Sequence, residues 1–353
     1  MASANTRATM KAAVCRPNPD GTSSLSVEDV AIPEPGEGEA LVKVIKAGIC
    51  STDEQLLRGY MGFSGTLGHE FVGIVERANS APELVGSRVC GDINLACDDD
   101  SGACSVCALR RPLASGEGDV GAAGLLQLRR NHCPRRTVLG ILAKDGCFAE
   151  YVTLPTRNLH VVPDNVADSE AVFAEPLAAA LRIAEQGLLE DAPDATSRRP
   201  LRRVAVLGDG KLGLLCAAAS VGHMRLRRRA SSSGADTLSP SSSPSSSPSP
   251  LQEVCIVGRH AAKMNLLEGI AGESDGVTLR HVVVARRDAG APPGLASACD
   301  VVVDATGHPD GLSTALAMLA PMGTLVLKVP SSACPIPPHP PTLARTQTHV
   351  ASI

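Results

Sequence analysis

A cysteine, a histidine and two glutamates in this sequence are of the types that hold a catalytic metal. Cys50 ends the apolar stretch ALVKVIKAGIC, and His69 and Glu70 lie in the glycine-flanked turn GTLGHEF. A thiolate and an imidazole form a partial shell for zinc, and a catalytic zinc needs a third protein ligand and one open position. The acid best placed for that third position is Glu175, in FAEPLAAALR. The sequence therefore predicts a zinc site formed by Cys50, His69 and Glu175.

A glycine-rich turn in the second half of the chain predicts a dinucleotide site. It follows the strand-like run RVAVLG and matches G-x-G-x-x-G, with the candidate cofactor residues Gly208, Gly210, Lys211, Leu212 and Gly213. Glycines at these positions permit a tight turn and let backbone N–H groups approach a pyrophosphate at the N-terminus of the next helix. We therefore expect a nicotinamide dinucleotide to bind here.

The residues after the next strand bear on which dinucleotide binds. An acid about 20 residues beyond the glycines normally holds the ribose hydroxyls of NAD. Here the run EVCIVG is followed instead by Arg259, with Lys263 close behind. A guanidinium suits the 2′-phosphate of NADP because it pairs with phosphate through charge-assisted bonds. The pattern favours NADP over NAD, although a solvated turn would have the same composition.

The elements that must position these residues fall into two groups. Over residues 1–175, short β-branched runs such as KAAVC and EFVGIVERA, separated by Gly and Pro, predict a β-rich, barrel-like domain. Over residues 176–329, helical segments alternate with the apolar runs RVAVLG, EVCIVG, RHVVV, DVVVDATG and GTLVLKV, which predict a doubly wound parallel sheet. The expected fold class is α/β with two domains joined by a helix.

Two segments fit neither domain. Residues 225–250 are basic and then Ser/Pro-rich, so we expect a disordered insertion that cannot bury enough apolar surface to fold. Residues 330–353 contain PIPPHPP and are expected to form an irregular tail, because proline lacks the N–H that a sheet needs. On this interpretation the last strand of the sheet and the C-terminal return of the chain are missing.

The ordered motifs GIC-x-TD, GHE and EPLAAA resemble those of the zinc-containing medium-chain dehydrogenase/reductase family, especially its sorbitol, threonine and glucose dehydrogenase branches. The resemblance implies a GroES-like catalytic domain, a Rossmann domain, and hydride transfer between an alcohol and NAD(P). Cys50 and His69 match the zinc ligands of the family. Glu175 matches its third ligand, and Glu70 matches a carboxylate that either binds the metal or lies close behind it.

The resemblance also implies a proton path and a class of substrate. Thr52 would be the first proton relay, and Gln55 replaces a histidine found farther along that relay in some relatives. The substrate would be a small alcohol or carbonyl compound, possible choices being a polyol or a sugar. The competing interpretation is a catalytically inactive zinc-binding scaffold, which the insertions and the altered C-terminus favour.

Four cysteines resemble the loop that holds a second, structural zinc in this family. They are Cys97, Cys104, Cys107 and Cys133. Only the spacing from Cys104 to Cys107 matches the family pattern, since both flanking intervals are lengthened. The cost of closing a loop grows slowly with its length, so four thiolates can still form a tetrahedral site. We favour structural zinc over reduced free thiols.

Composition restricts the partners. A formal net charge of -4 gives no basic surface for nucleic acid, and no long apolar run predicts a membrane span. The N-terminus lacks a secretory signal, so the expected location is the cytoplasm and the expected partners are small molecules. A homo-oligomer is possible, although the altered C-terminus argues against the usual family interface.

Overall fold

A computed structural model describes most of the 353-residue chain. The described residues are 8–97, 104, 107, 131–190, 201–232, 252–271, 276–285, 290–328 and 349–352. The chain divides into two compact units, Met1–Glu175 and Pro176–Ile353. None of the helices in the described ranges has the length and apolar character needed to cross a membrane.

The first unit is built mainly from short antiparallel strands. They are β1 Thr9–Pro17, β2 Ser23–Ala31, β3 Glu39–Gly48, β4 Gly65–Thr66, β5 Glu70–Arg77, β6 Arg88–Gly91, β7 Asn94–Leu95, β8 Thr137–Leu139, β9 Ala143–Lys144, β10 Tyr151–Pro155 and β11 Leu159–Val161. The described helices of this unit are α1 Ser51–Leu57 and α2 Asp168–Ala171, and α3 Ala174–Glu185 begins at its end. The β-rich character predicted from the sequence is confirmed.

The largest sheet of this unit has the order β10-β3-β5-β6-β11. Its core contains Val42, Phe71, Val89 and Leu154, which come from four of these strands. Strand β5 begins at Glu70 and its register pairs that residue with Gly48 at the end of β3. The paired ends of these two strands therefore bring Cys50, just after β3, near His69, just before β5.

The second unit is a parallel sheet with helices on both faces. Its strands are β12 Arg203–Leu207, β13 Gln252–Gly258, β14 Val277–Val283, β15 Cys299–Asp304, β16 Leu319–Leu327 and β17 His349–Ser352. Its further described helices are α4 Lys211–Ser232, α5 Ala261–Met264 and α6 Pro309–Met318. The sheet order is β14-β13-β12-β15-β16-β17, so the chain reverses direction across the sheet between β12 and β15.

Alternation along the central strands explains the two layers of helices. On β12, Val204 and Val206 pack in one cluster with residues of α3 and α4. Ala205 and Leu207 pack in another cluster, which contains Met318 of α6. Successive side chains of a strand point to opposite faces, so a strand buried on both faces is apolar throughout. The doubly wound Rossmann architecture is confirmed.

The predicted insertion at residues 225–250 starts too early. Helix α4 continues to Ser232, and only residues 233–250 lie outside the described part of the structure. The stretch RLRRRA contains good helix formers and no proline, so nothing in it ends a helix. Arg225 donates to Ile270 O, and Arg227 donates to Leu189 O at 3.3 Å, which holds this basic turn against the unit.

The described residues also include a short strand at the edge of the sheet, where the sequence predicts that the last strand is missing. Strand β17 pairs in parallel with β16, with His349 opposite Thr324 and Ser352 opposite Leu327. The prolines of the tail precede this segment, so each of its residues has the N–H that a ladder requires. The unpaired edge of β16 supplies the partner groups. The rest of the predicted tail, residues 330–348 and 353, lies outside the described residues.

Candidate metal and dinucleotide sites

Cys50 is held at the N-terminus of α1 by a bond to a nearby acid. Its backbone N–H donates to Asp53 Oδ2 at 2.8 Å, as in a capping box. The backbone of Cys50 is extended, with φ -101° and ψ 157°, because the chain leaves β3 and turns into the helix here. The sequence from Cys50 to Asp53 thus fixes where the thiol lies.

His69 lies in a tight turn between β4 and β5. Gly68 has φ +95°, a conformation that other residues rarely adopt, and a Cβ there would overlap the Phe148 ring. Gly48 is needed for a similar reason, because a Cβ at that position would overlap the Glu70 carboxylate. Gly48 thus leaves room for the Glu70 side chain, and Gly68 permits the turn that carries His69.

One atom from each of Cys50, His69 and Glu70 forms a close set. These three potential ligand atoms all lie within 4.8 Å of one another. Glu175, at the start of α3, is outside that set, although its charge acts on His69. The structure thus brings Cys50 and His69 together as the sequence predicts, and the acid in this set is Glu70 rather than Glu175.

Asp53 lies behind the imidazole. Its Oδ1 is 3.4 Å from His69 Nδ1, and both side chains are almost completely buried, with 5% and 4% exposed. The geometry is that of an ion pair without a well-directed hydrogen bond, since neither atom has a hydrogen-bond partner among the described residues. A metal-ligating histidine usually presents its second ring nitrogen to a carboxylate. With Asp53 at Nδ1, Nε2 is the nitrogen available to a metal.

The electrostatics of the set favour a charged thiol and imidazole. Burial raises the pKa of Cys50, but hydrogen bonds with His69 and Thr52 outweigh it, so the pKa of this thiol is lowered. Burial lowers the pKa of His69, whereas the Asp53 carboxylate and the Cys50 thiol beside the ring, together with the charge of Glu175, raise it to about 10. A divalent cation replaces the imidazolium proton in such a site and stabilises the thiolate. The donor set therefore fits zinc.

Thr52 and Gln55 lie on helix α1, which begins just after Cys50. Thr52 Oγ1 is 3.6 Å from Cys50 Sγ, and its side chain is half-buried. The Thr52 hydroxyl therefore lies beside the sulfur that would hold a metal. Gln55, one turn along α1, is also half-buried.

Cys97, Cys104, Cys107 and Cys133, called the lobe cysteines below, lie close together although the sequence between them is long. All four sulfurs lie within 4.8 Å of one another, with Cys97 and Cys107 3.5 Å apart and Cys104 and Cys133 3.7 Å apart. A Zn–S distance of about 2.3 Å in a tetrahedron places sulfurs roughly 3.8 Å apart. Burial and the neighbouring sulfurs raise the pKa of Cys107. Burial also raises the pKa of Cys133, but hydrogen bonds from the backbone N–H groups of Cys97 and Arg135 outweigh burial, so this pKa is lowered. The set fits one zinc ion.

The glycine-rich turn has the strand–turn–helix geometry of a dinucleotide loop. Gly208 follows β12 with φ +117°, and α4 begins at Lys211. A Cβ at Gly213 would overlap Gly208 O, so this glycine permits the close approach of helix to strand. A Cβ at Gly210 would meet nothing within 4 Å, so this backbone faces open space.

A cavity of about 560 Å³ opens beside this turn in the second unit. Its lining includes Gly208 and Gly210 from the loop, Arg259 and Lys263 after β13, and Thr306 after β15. It lies at the carboxyl ends of β12, β13 and β15, where the strand order reverses and open α/β sheets bind ligands. Lys211, Leu212 and Gly213 form the first turn of α4 and are not among the lining residues.

Two acids with clear structural roles were missed by the sequence analysis. Asp53 could have been found from its position three residues after Cys50, where a carboxylate caps a helix. Asp209 occupies a variable position of the glycine motif, yet its Oδ2 accepts from Arg259 N at 2.8 Å and from His260 N at 2.6 Å. No local pattern indicates that contact, since the partners are about fifty residues away.

Comparison with known proteins agrees with this geometry. Residues 36–164 match the model of the alcohol dehydrogenase GroES-like domain, and this range contains both metal sets but not Glu175. A structure from Sinorhizobium meliloti 1021, assigned as a zinc-binding dehydrogenase and bound to NADP, aligns with 98% of this chain and 84% of its own at TM-score 0.66 and 28% identity. Residues 36–164 thus match the alcohol dehydrogenase GroES-like family, and the chain as a whole is similar to zinc-binding dehydrogenases.

Curated dehydrogenases match part of the chain. Glucose 1-dehydrogenase of Methanocella arvoryzae is 35% identical over 219 residues, which are 59% of this chain and 53% of that protein. L-threonine 3-dehydrogenase of Legionella pneumophila is 31% identical over 212 residues, 57% of this chain and 52% of that protein. The chain spans about half the length of the curated relatives it matches.

Proposed function

We propose that this protein is a zinc-dependent oxidoreductase that transfers a hydride between a small alcohol and a nicotinamide dinucleotide. The observation that carries the proposal is the buried set of Cys50, His69 and Glu70, with Asp53 behind the imidazole. A neutral nitrogen, a thiolate and a carboxylate are the donor types of catalytic zinc sites that keep one position open. The relatives named as glucose and threonine dehydrogenases support an alcohol substrate, with polyols and sugars as the first candidates.

A zinc ion bound there would act as a Lewis acid that lowers the pKa of an alcohol, so that the alkoxide can release hydride to the nicotinamide. Cys50 and His69 would hold the metal, and Glu70 is the favoured third ligand because its carboxylate lies within 4.8 Å of both other ligand atoms. Glu175 adds negative charge near His69. Thr52 is placed to accept the proton of the alcohol, because its hydroxyl lies next to the Cys50 sulfur.

The favoured cofactor is NADP. Arg259 and Lys263 line the cavity that Gly208 and Gly210 border, and both side chains are exposed there. Two cations at the end of the second strand suit a 2′-phosphate, whereas NAD would need an acceptor for ribose hydroxyls. The relative from Sinorhizobium meliloti was bound to NADP. Arg259→Ser should weaken NADPH binding by about tenfold and leave NADH binding nearly unchanged, on the scale of a charge-assisted bond.

The four lobe cysteines, Cys97, Cys104, Cys107 and Cys133, are proposed to hold a second zinc with a structural role. Their sulfur separations support a tetrahedral ion better than free thiols, which have no reason to converge on one point. A cytoplasmic location and a homo-oligomeric state stay predictions from the sequence.

The test of the proposed function is an activity screen of zinc-loaded protein. Primary and secondary alcohols, polyols and aldose sugars are each supplied with NADP or NAD, and formation of the reduced cofactor is followed by its absorbance. The wild type should turn over at least one class, and Cys50→Ser should not. Zinc and NADPH binding without turnover of any class would instead support the inactive scaffold, for which no described contact argues.

A further inference from the structure

We infer that Asp209 is a positioning residue that makes the cavity selective for a dinucleotide with a 2′-phosphate, because it fixes the Arg259–His260 turn. The inference rests on the proposed function, since it concerns the same cofactor. It assigns a role in specificity to a residue of the glycine-rich loop that contributes no cation of its own.

Three hydrogen bonds converge on one oxygen of Asp209. Its Oδ2 accepts from Arg259 N at 2.8 Å and from His260 N at 2.6 Å, and it lies 2.9 Å from His260 Nδ1. Asp209 is 9% exposed, so these bonds lie largely out of water. Bonds to a carboxylate are among the stronger hydrogen bonds in proteins, and burial increases their strength. The turn after β13 is therefore tied firmly to the loop after β12.

Gly258 shows that the carboxylate occupies the space of an absent side chain. A Cβ built on Gly258 would overlap the Asp209 side chain. The end of the second strand is where a ribose-binding acid normally projects. Here the Asp209 side chain, from the loop after β12, fills that space. Its Oδ2 accepts hydrogen bonds from the protein itself and not from a ribose.

The charges around the turn favour a phosphate. Asp209 and the His260 ring form an ion pair at 2.9 Å, so the carboxylate is largely compensated when the ring is protonated. Arg259 and Lys263 then add two positive charges at the cavity wall. A guanidinium on a fixed backbone loses less conformational freedom when it binds a phosphate, which increases affinity. A flexible turn would carry the same charges but bind more weakly.

The test compares two probes on the full chain by calorimetry: adenosine 2′,5′-bisphosphate, which carries the extra phosphate, and 5′-AMP, which lacks it. Asp209→Ala should raise the Kd of the bisphosphate about tenfold, the scale of lost charge-assisted bonds, and change that of 5′-AMP by less than about twofold. Asp209→Asn keeps one acceptor oxygen, so it should lie between the wild type and Asp209→Ala. Asp300→Asn is the matched control, because this carboxylate also accepts from two backbone N–H groups, those of Arg202 and Arg203, but does not line the cavity.

The outcomes separate this inference from the proposed function. An unchanged ratio of the two Kd values in Asp209→Ala would overturn the inference. An equal loss of affinity for both probes would give this result and would indicate a residue that only supports the loop. Tighter binding of the bisphosphate would overturn it too, because Asp209 would then repel the phosphate. If the wild type binds neither probe, the dinucleotide function itself fails and the inference with it.

Discussion

Replacing Asp53 tests how the protein prepares the metal site. In Asp53→Asn the amide oxygen can still accept from Cys50 N, as Oδ2 does at 2.8 Å, so the start of α1 should persist. The negative charge 3.4 Å from His69 Nδ1 is lost, and with it the orientation and basicity that a carboxylate gives a ligating imidazole. We expect zinc at this site to bind about 10- to 100-fold more weakly, or roughly 1.4–2.7 kcal/mol.

The comparison with Asp53→Ala separates metal binding from folding. Alanine also removes the capping bond, so it should cost about 1 kcal/mol of stability in addition. Zinc affinity is measured by competition with a chromophoric chelator at several pH values, because removal of the charge also makes His69 easier to deprotonate. Co²⁺ substitution distinguishes a site with one thiolate from one with four by its absorption.

Asp168→Asn is the matched control for the Asp53 variants. Asp168 is a partly buried carboxylate that pairs with Arg88 at 2.8 Å, and neither residue belongs to a metal set. Zinc affinity should be unchanged in this variant. If Asp53→Asn bound zinc as tightly as the wild type at every pH, the role assigned to Asp53 would be wrong.

Four further predictions concern the four lobe cysteines, the proton balance of the metal site and the dinucleotide loop. Cys104→Ser should remove one zinc per chain and lower Tm by roughly 6–12 °C for a loss of about 3 kcal/mol, while Cys90→Ser leaves the zinc content unchanged. Zinc affinity at Cys50 and His69 should rise with pH up to about 10, because the metal displaces the imidazolium proton whose pKa is raised to about 10. In metal-free protein the stabilising charge of His69 should be fully present below pH 6.5 and lost as the pH rises through about 10, which denaturant titrations can follow. Gly213→Ala should weaken NADPH binding by about tenfold or more, since a Cβ overlaps Gly208 O, whereas Gly222→Ala in the same helix meets nothing and should stabilise by roughly 0.5–1 kcal/mol.

Local patterns were sufficient to predict much of the fold. The alternation of apolar runs with turn residues identified the β-rich unit, and continuous apolar runs such as RVAVLG identified parallel strands buried on both faces. The glycine motif was placed correctly between strand β12 and helix α4 because its geometry is set by neighbouring residues. Sequence spacing also indicated the pairing of Cys50 with His69.

The parts that depend on distant contacts were missed. The choice between Glu70 and Glu175 depends on the packing of β3 against β5, which the sequence does not measure. The contact from Asp209 to His260 joins two loops, each at the end of a different strand. The end of α4 was misjudged because a basic, serine-rich composition resembles a disordered segment even where its first residues pack as a helix.

The central claim is that zinc at Cys50 and His69 activates an alcohol for hydride transfer to a nicotinamide. The most direct measurement supplies an alcohol deuterated at the carbinol carbon and detects the isotope in the reduced cofactor by mass spectrometry. Zinc-loaded wild type should transfer the deuterium, and Cys50→Ser with its lobe cysteines still metallated should not. Transfer at the wild-type rate by Cys50→Ser would contradict the account.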